Sequence, residues 1–177
     1  DDTGSVGCAV MSCVIDAGQV LHVAPRVGAV TVQGRFPAGD TLRAYWRSIT
    51  AGLAGGVPAQ QVLSRACRTD RHSHSRQAAC IGVDGAGAAH TGHRLGSVLP
   101  SRQHFCGHQV GGRYVAAANL AASSDVVAAM ATLTLVALVE ATAIMPAAVS
   151  LPSASRGPVA CERTWQCQIQ VPPYCGW

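Results

Sequence analysis

The sequence predicts an α+β fold, an αββα-like sandwich that spans about Ser5 to Met145. Three observations predict it. Short apolar strands come before and after two capped helices, and a hairpin turn joins two of the later strands. Strands, then two helices, then strands again are typical of a sheet that is covered by helices. A chain of 177 residues is long enough to bury the core of one such domain.

The strands are predicted from small, apolar and β-branched residues. Ser5–Cys13 has the composition of a buried strand, and Val20–Ala24 that of a weaker strand or a bend. Both faces of Val27–Gln33 are largely apolar, as in an internal strand of a layered protein. An Asp-Gly pair between two apolar runs predicts a hairpin over Gln77–His90, and Tyr114–Ala118 predicts a further short strand.

Two helices are predicted between these strands, and a third after them. Asp40 is a suitable N-cap for a helix that ends at Ala51. A second helix over Pro58–Cys67 begins with its proline. Its apolar face is formed by Val62, Leu63 and Ala66. A serine caps a third helix that begins near Asp125.

The apolar run over residues 126–145 permits two interpretations. It is long enough to be a transmembrane helix. However, Glu140 lies within the run and basic flanks are absent, so a buried helix that ends before Pro146 is favoured. The predicted domain therefore covers residues 1–145.

Residues 146–177 are predicted to form an extended tail. This segment is rich in Pro, Ser, Gln and Cys and has no helix or strand pattern, so we expect its order to come from docking on a surface. The disulfide candidates of the chain lie here, and the sequence leaves their pairing open. They are Cys161, Cys167 and Cys175.

The charge content bears on the partners of the chain. Charged residues make up only 12%, and all the basic ones are Arg. This pattern has two interpretations: a compositional bias of the coding region, or a surface that is covered by other protein subunits. The densest basic segment, Arg65–Arg76, holds no aromatic residue that could stack on bases, so it is interpreted as a solvated loop. No specific nucleic-acid partner is predicted.

Three motifs occur in a fixed order. They are RVGAVTVQG from Arg26, VDGAGAAHTG ending at Gly92, and a pattern made by Gly107, His108, Tyr114 and Asn119. In this order the chain resembles an uncharacterised, mostly bacterial family of Ntn-hydrolase-like proteins, over about its first three quarters. The resemblance implies the αββα sandwich of that superfamily.

The resemblance also raises a question about the nucleophile. In Ntn hydrolases the first residue of an N-terminal strand attacks with its hydroxyl or thiol, and its own α-amine takes the proton. The segment TGSVGCAVMS resembles the second strand of the family. Asp1 has an amine without a hydroxyl or thiol, and Thr3 has a hydroxyl without a free amine. We therefore expect the strand that carries the nucleophile to be absent from this chain, or incomplete.

Three residues are the candidates for a surviving site: His90, Thr91 and Asn119. His90 lies at the end of a strand, where a polar group can face a cleft. Asn119 follows an apolar strand, from which its amide could donate to an oxyanion. The structural alternative is that a backbone group satisfies His90 and that Asn119 caps a turn.

Alternating His and Cys residues are the candidates for a metal site. His104, Cys106 and His108 alternate, so on a strand they would share one face and offer zinc three ligands. Gly107 interrupts this pattern, and the alternative is a cysteine that merely lies near histidines. No cofactor is predicted.

These observations permit three functions. The favoured one is a catalytically inactive, Ntn-hydrolase-like accessory subunit of a larger assembly, such as a membrane complex of an organelle. The alternative is an amidohydrolase that acts on a small amide or peptide-like substrate, with its nucleophile on a missing or separate first strand. A free metal-binding protein is a third hypothesis, which rests on the His and Cys clusters alone. A mitochondrial or exported location is favoured over the cytoplasm.

Overall fold

The computed structural model describes residues 6–12, 20–34, 40–95, 105–121, 123–133 and 166–170. Its helices are α1 (Asp40–Ala54), α2 (Ala59–Thr69) and α3 (125–133), with a short 3-10 turn at Ser73–Ser75. Its strands are β1 (Cys8–Ser12), β2 (Leu21–Ala24), β3 (Gly28–Gly34), β4 (Arg76–Gly82), β5 (Gly87–Thr91), β6 (Phe105–Val110), β7 (Val115–Ala121) and β8 (Gln166–Gln170). The α+β class predicted from the sequence is confirmed.

The strands of the described residues form three antiparallel sheets. The largest has the order β2-β3-β4-β5, and the two others pair β6 with β7 and β1 with β8. The predicted hairpin is present as β4 and β5. Gly85 takes a φ of 82° in its turn, a conformation that favours glycine, and the carboxylate of Asp84 accepts from the N–H of Ala86 at 3.0 Å.

Helices α1 and α2 cover one face of the four-stranded sheet. The predicted apolar face of α2 is confirmed, because Val62, Leu63 and Ala66 are all buried. They pack with alternate residues of three neighbouring strands, namely Val30, Val32, Ala78, Cys80 and Ala88. Helix α1 adds Ile49 to this core and is three residues longer than predicted. This packing leaves the other face of the sheet for a second layer.

The β6-β7 sheet packs on that other face. Strand β5 contacts β6, and β4 contacts β7. On the far side of β7, Val127 and Ala131 of α3 pack on small residues, which are Ala116, Ala118 and Ala121. The hydroxyl of Ser123 accepts from the N–H of Asp125, as the predicted cap requires. The layers therefore run helix, sheet, sheet, helix, which is the order of an α/β sandwich.

The tail contains an element that its composition did not predict. Strand β8 pairs antiparallel with β1, with Met11 opposite Cys167. The expectation that residues 146–177 hold no strand is therefore wrong for Gln166–Gln170. In this segment Cys167 and Ile169 alternate with three glutamines, which is the period of a strand, and the backbone of β1 supplies its ladder.

Several predictions fall on other parts of the chain. The end of the domain near Met145 and the apolar run beyond residue 133 lie outside the described residues, as do Cys161 and Cys175. Only the backbone of Cys167 is described. Of the described helices, none combines the length and the apolar character that crossing a membrane requires.

Candidate functional site

A row of polar side chains crosses the large sheet on the face opposite α1 and α2. Gln33 of β3 lies directly opposite Gln77 of β4, and Gln77 lies directly opposite Thr91 of β5. Directly opposed residues on one face of an antiparallel sheet have neighbouring side chains. Strand alternation turns their neighbours Val32 and Ala78 toward the helices. The polar row therefore faces the β6-β7 sheet.

Gln77 lies at the centre of this row and joins the two sheets. Its side chain is only 1% exposed. Its amide nitrogen donates to Thr91 Oγ1 at 3.0 Å, to the carbonyl of Gly107 at 2.9 Å and to the carbonyl of Ala118 at 3.0 Å. Two amide protons thus serve three acceptors, two of them in the backbone of the second sheet. A buried amide with this many partners is fully satisfied.

Asn119 reaches the row from an irregular point in β7. Phe105 pairs with Ala121 but Gly107 pairs with Ala118, so two residues of β7 lie opposite the single Cys106. Such a β-bulge redirects a side chain. The amide nitrogen of Asn119 donates to Gln33 Oε1, and it lies 3.5 Å from Gln77 Oε1. The side chain is therefore directed into the joint between the sheets and does not cap a turn.

Thr91 and His108 form a hydroxyl–imidazole pair. Thr91 Oγ1 lies 2.9 Å from Nδ1 of His108. A hydroxyl accepts up to two hydrogen bonds and donates one, so Thr91 can accept from Gln77 and still donate its own proton to His108. Partial burial lowers the pKa of His108, and the nearby His90 lowers it further, which favours the neutral imidazole. In the tautomer of the neutral ring that carries its proton on Nε2, Nδ1 accepts from Thr91.

His90 does not belong to this pair. It lies opposite Ala78, whose side chain packs in the core under the helices. Its Nε2 lies 3.0 Å from the backbone carbonyl of Ser73. His90 therefore has a structural role, because a backbone group satisfies its imidazole. Strand alternation separates it from Thr91, and of the three candidates Thr91 and Asn119 share the polar row.

The pair lies on the wall of an open pocket of about 600 Å³. The lining includes Thr91, His93, Phe105 and His108, with the backbone of Gly107. No acidic side chain lines it among the described residues. A pocket with a hydroxyl, imidazoles and one aromatic ring suits a small ligand that is neutral or anionic.

The metal and disulfide candidates are not assembled in the described part of the chain. His104 lies outside it, and no group of three or more His, Cys, Asp or Glu side chains within it could hold a metal ion. His108 is instead bonded to Thr91. The cysteines whose side chains are described are free thiols: Cys8, Cys67, Cys80 and Cys106.

Two residues of the site, Gln33 and Gln77, are predicted from the sequence only as parts of strands. A third, His108, is predicted as part of the third motif and as a metal ligand. A signal for Gln77 was present, since the short Asp-Gly turn implies the hairpin register that sets Gln77 against Thr91. No comparable signal exists for the bulge that directs Asn119 toward Gln33.

Comparison with known proteins agrees with this fold. Residues 1–137 match the model of DUF1028, a family of unknown function. The chain is also similar to the crystal structure of a DUF1028 protein from Silicibacter pomeroyi, with a TM-score of 0.53 and 22% sequence identity. The match covers 65% of this chain and 48% of that one, so the chain spans about half of that protein's length. No curated protein matches the sequence. Because the family model covers well over half of it, the chain belongs to DUF1028.

Proposed function

We propose that this chain is a hydrolase domain that binds a small amide or ester in the pocket beside Thr91 and His108 and hydrolyses it. The observation that carries the proposal is the pair itself, a hydroxyl 2.9 Å from an imidazole nitrogen on a pocket wall. An imidazole that accepts from a hydroxyl or a water can serve as a general base. The lowered pKa of His108 favours the neutral imidazole, and its Nε2–H tautomer leaves this nitrogen able to accept a proton.

The sequence resemblance supports the same reaction class. The motifs that end at Gly92 and at Asn119 resemble those of Ntn-hydrolase-like proteins, and this superfamily cleaves amide bonds. The family itself has no assigned function. Thr91 and His108 are internal residues of the chain, so the proposed chemistry needs no nucleophile at residue 1. Residues 1–5 lie outside the described part.

An accessory role in a larger assembly is the second candidate function. The observation that favours it is the separate β1-β8 sheet, in which each described strand is paired on one edge only. Unpaired strand edges can add a strand from another chain. Native mass spectrometry of the complex isolated from its source would test this role. A chain that is monomeric in its source refutes it.

The hydrolase proposal is tested with the purified full chain. Initial rates are measured on p-nitrophenyl esters and on p-nitroanilides of short acyl groups. His108→Ala is expected to lower the rate by about 100-fold or more, because general-base catalysis contributes about that much. His72→Ala is the matched control, since this histidine lies on the turn before Ser73 and outside the pocket lining. Absence of hydrolysis across both series refutes the proposal.

A further inference from the structure

The hydroxyl of Thr91 has a defined direction. A threonine hydroxyl carries one proton and two lone pairs. One lone pair accepts from the amide nitrogen of Gln77 at 3.0 Å, and in the Nε2–H tautomer of His108 the proton points to Nδ1 at 2.9 Å. The second lone pair remains on an oxygen that lines the pocket. A hydroxyl held in this way has its base in place and a free lone pair for attack.

The direction of the Gln77 amide is itself determined by its partners. The backbone carbonyls of Gly107 and Ala118 can only accept, so the group that faces them is the NH2. The amide nitrogen of Asn119 can only donate, so the group that faces it is Oε1. The orientation that turns the NH2 group to the two carbonyls satisfies all of these partners, whereas the flipped one would place Oε1 against both carbonyls. In this orientation the NH2 group of Gln77 also faces Thr91 Oγ1.

We infer that Thr91 is a covalent nucleophile with His108 as its base, and that Gln77 and Asn119 are positioning residues. This inference rests on the proposed hydrolase function and assigns its residues. It differs from the Ntn mechanism, in which the first residue of the chain attacks with its own amine as base. It also differs from a mechanism in which His108 activates water directly.

The reaction balances without any further reactant except water. Thr91 Oγ1 attacks the carbonyl carbon of the substrate as its proton moves to Nδ1 of His108. The bond from that carbon to the leaving nitrogen or oxygen breaks, and the imidazolium gives its proton to the leaving amine or alcohol. Water, deprotonated by His108, then attacks the threonyl ester. The bond from carbon to Oγ1 breaks, the carboxylic acid leaves, and the proton returns to Oγ1.

The pocket lining indicates the class of acyl group. The ring of Phe105 offers an apolar contact, while His93 and His108 are the titratable groups of the described lining beside the thiol of Cys106. No carboxylate repels an anionic substrate there. We expect short acyl groups, neutral or with a terminal carboxylate, to react faster than acyl groups that carry an ammonium.

The decisive experiment traps the intermediate. The full chain is mixed with p-nitrophenyl acetate, quenched in acid and analysed by intact-mass and peptide mass spectrometry. One acetyl group is expected on the peptide that contains Thr91. It should be present in wild type and Thr91→Ser, and absent in Thr91→Ala, whose rate should fall by about 100-fold or more, as for the loss of a catalytic group. Thr50→Ala is the control, since this hydroxyl bonds to the backbone within α1.

The outcomes separate the two proposals. Hydrolysis that needs His108 but continues in Thr91→Ala keeps the hydrolase function and overturns the nucleophile. An acetyl group on another residue, or the absence of any adduct, overturns it as well. Absence of hydrolysis in wild type removes both proposals. Circular dichroism and thermal unfolding of each variant exclude misfolding as the cause of a loss.

The positioning role has its own readout. Asn119→Ala leaves the substrate contacts of the pocket in place but removes the donor that faces Oε1 of Gln77. Its kcat is expected to fall by about 10-fold with KM nearly unchanged, since the lost interaction acts on the attacking oxygen and not on the bound substrate. An increase in KM at constant kcat would instead make Asn119 a part of the binding surface, and would refute its positioning role.

Discussion

Replacement of Gln77 by Leu tests whether the polar row holds the two sheets together. Leu has a similar volume, so the change removes hydrogen bonds with little cavity term. The amide donates to three acceptors at 2.9–3.0 Å and its side chain is 1% exposed. At about 0.5–1.5 kcal/mol for each bond, the free energy of unfolding should fall by about 2–4 kcal/mol.

Equilibrium urea unfolding, followed by circular dichroism, measures this loss. With a slope of about 2 kcal/mol per molar, the midpoint should fall by about 1–2 M while the slope stays the same. Gln61→Leu is the matched control, because that side chain is exposed on α2 and should change stability by less than about 0.5 kcal/mol. A midpoint for Gln77→Leu that equals the control would refute the view that this amide joins the sheets.

Three further predictions concern the core, the pocket histidine and a buried thiol. Leu63→Ala should cost about 2–5 kcal/mol in a thermal unfolding measurement, since this side chain is 1% exposed, whereas Leu133→Ala, at 68% exposed, should cost almost nothing. The lowered pKa of His108 means that the unfolded chain binds a proton before the folded chain does. Stability should therefore decline as the pH falls from about 6.5 toward the folded pKa and become level below it, and His108→Gln should remove this component; an unchanged pH profile would contradict it. Burial raises the pKa of the Cys80 thiol to about 12, so Ellman's reagent should label it only after unfolding, and rapid labelling of the native chain would show an open core.

The elements predicted well are those whose signals are local. Helix α2 is predicted from Val62, Leu63 and Ala66, whose spacing alone places them on one face. The β4-β5 hairpin is predicted from a turn whose chemistry allows few alternatives. The local signal of strand β8 is a single short alternation of polar and apolar residues, and its pairing with β1, which is distant in sequence, has no local signal.

The site could be predicted in part only. Thr91 and Asn119 are both among the predicted candidates, and both take part in the hydrogen bonds of the polar row. His90 is adjacent to Thr91 in sequence, yet alternation turns it to the opposite face. The approach of His108 to Thr91 depends on how the second sheet packs on the first, and no pattern within either strand reports that distance.

Joining two sheets through buried polar side chains costs desolvation free energy, and this cost bears on the role of the polar row. Stability alone does not require side-chain pairs such as Asn119 and Gln33, because replacing both partners of a buried hydrogen bond by apolar groups of the same shape can be nearly neutral. The amides of Gln33, Gln77 and Asn119 provide something that apolar groups cannot, namely a direction for each proton. The row ends at the hydroxyl of Thr91, on the wall of the pocket, where that direction has a chemical use. A network retained for stability alone would not need to end at a hydroxyl beside an imidazole. The way the row ends therefore links the joint between the sheets to the proposed chemistry.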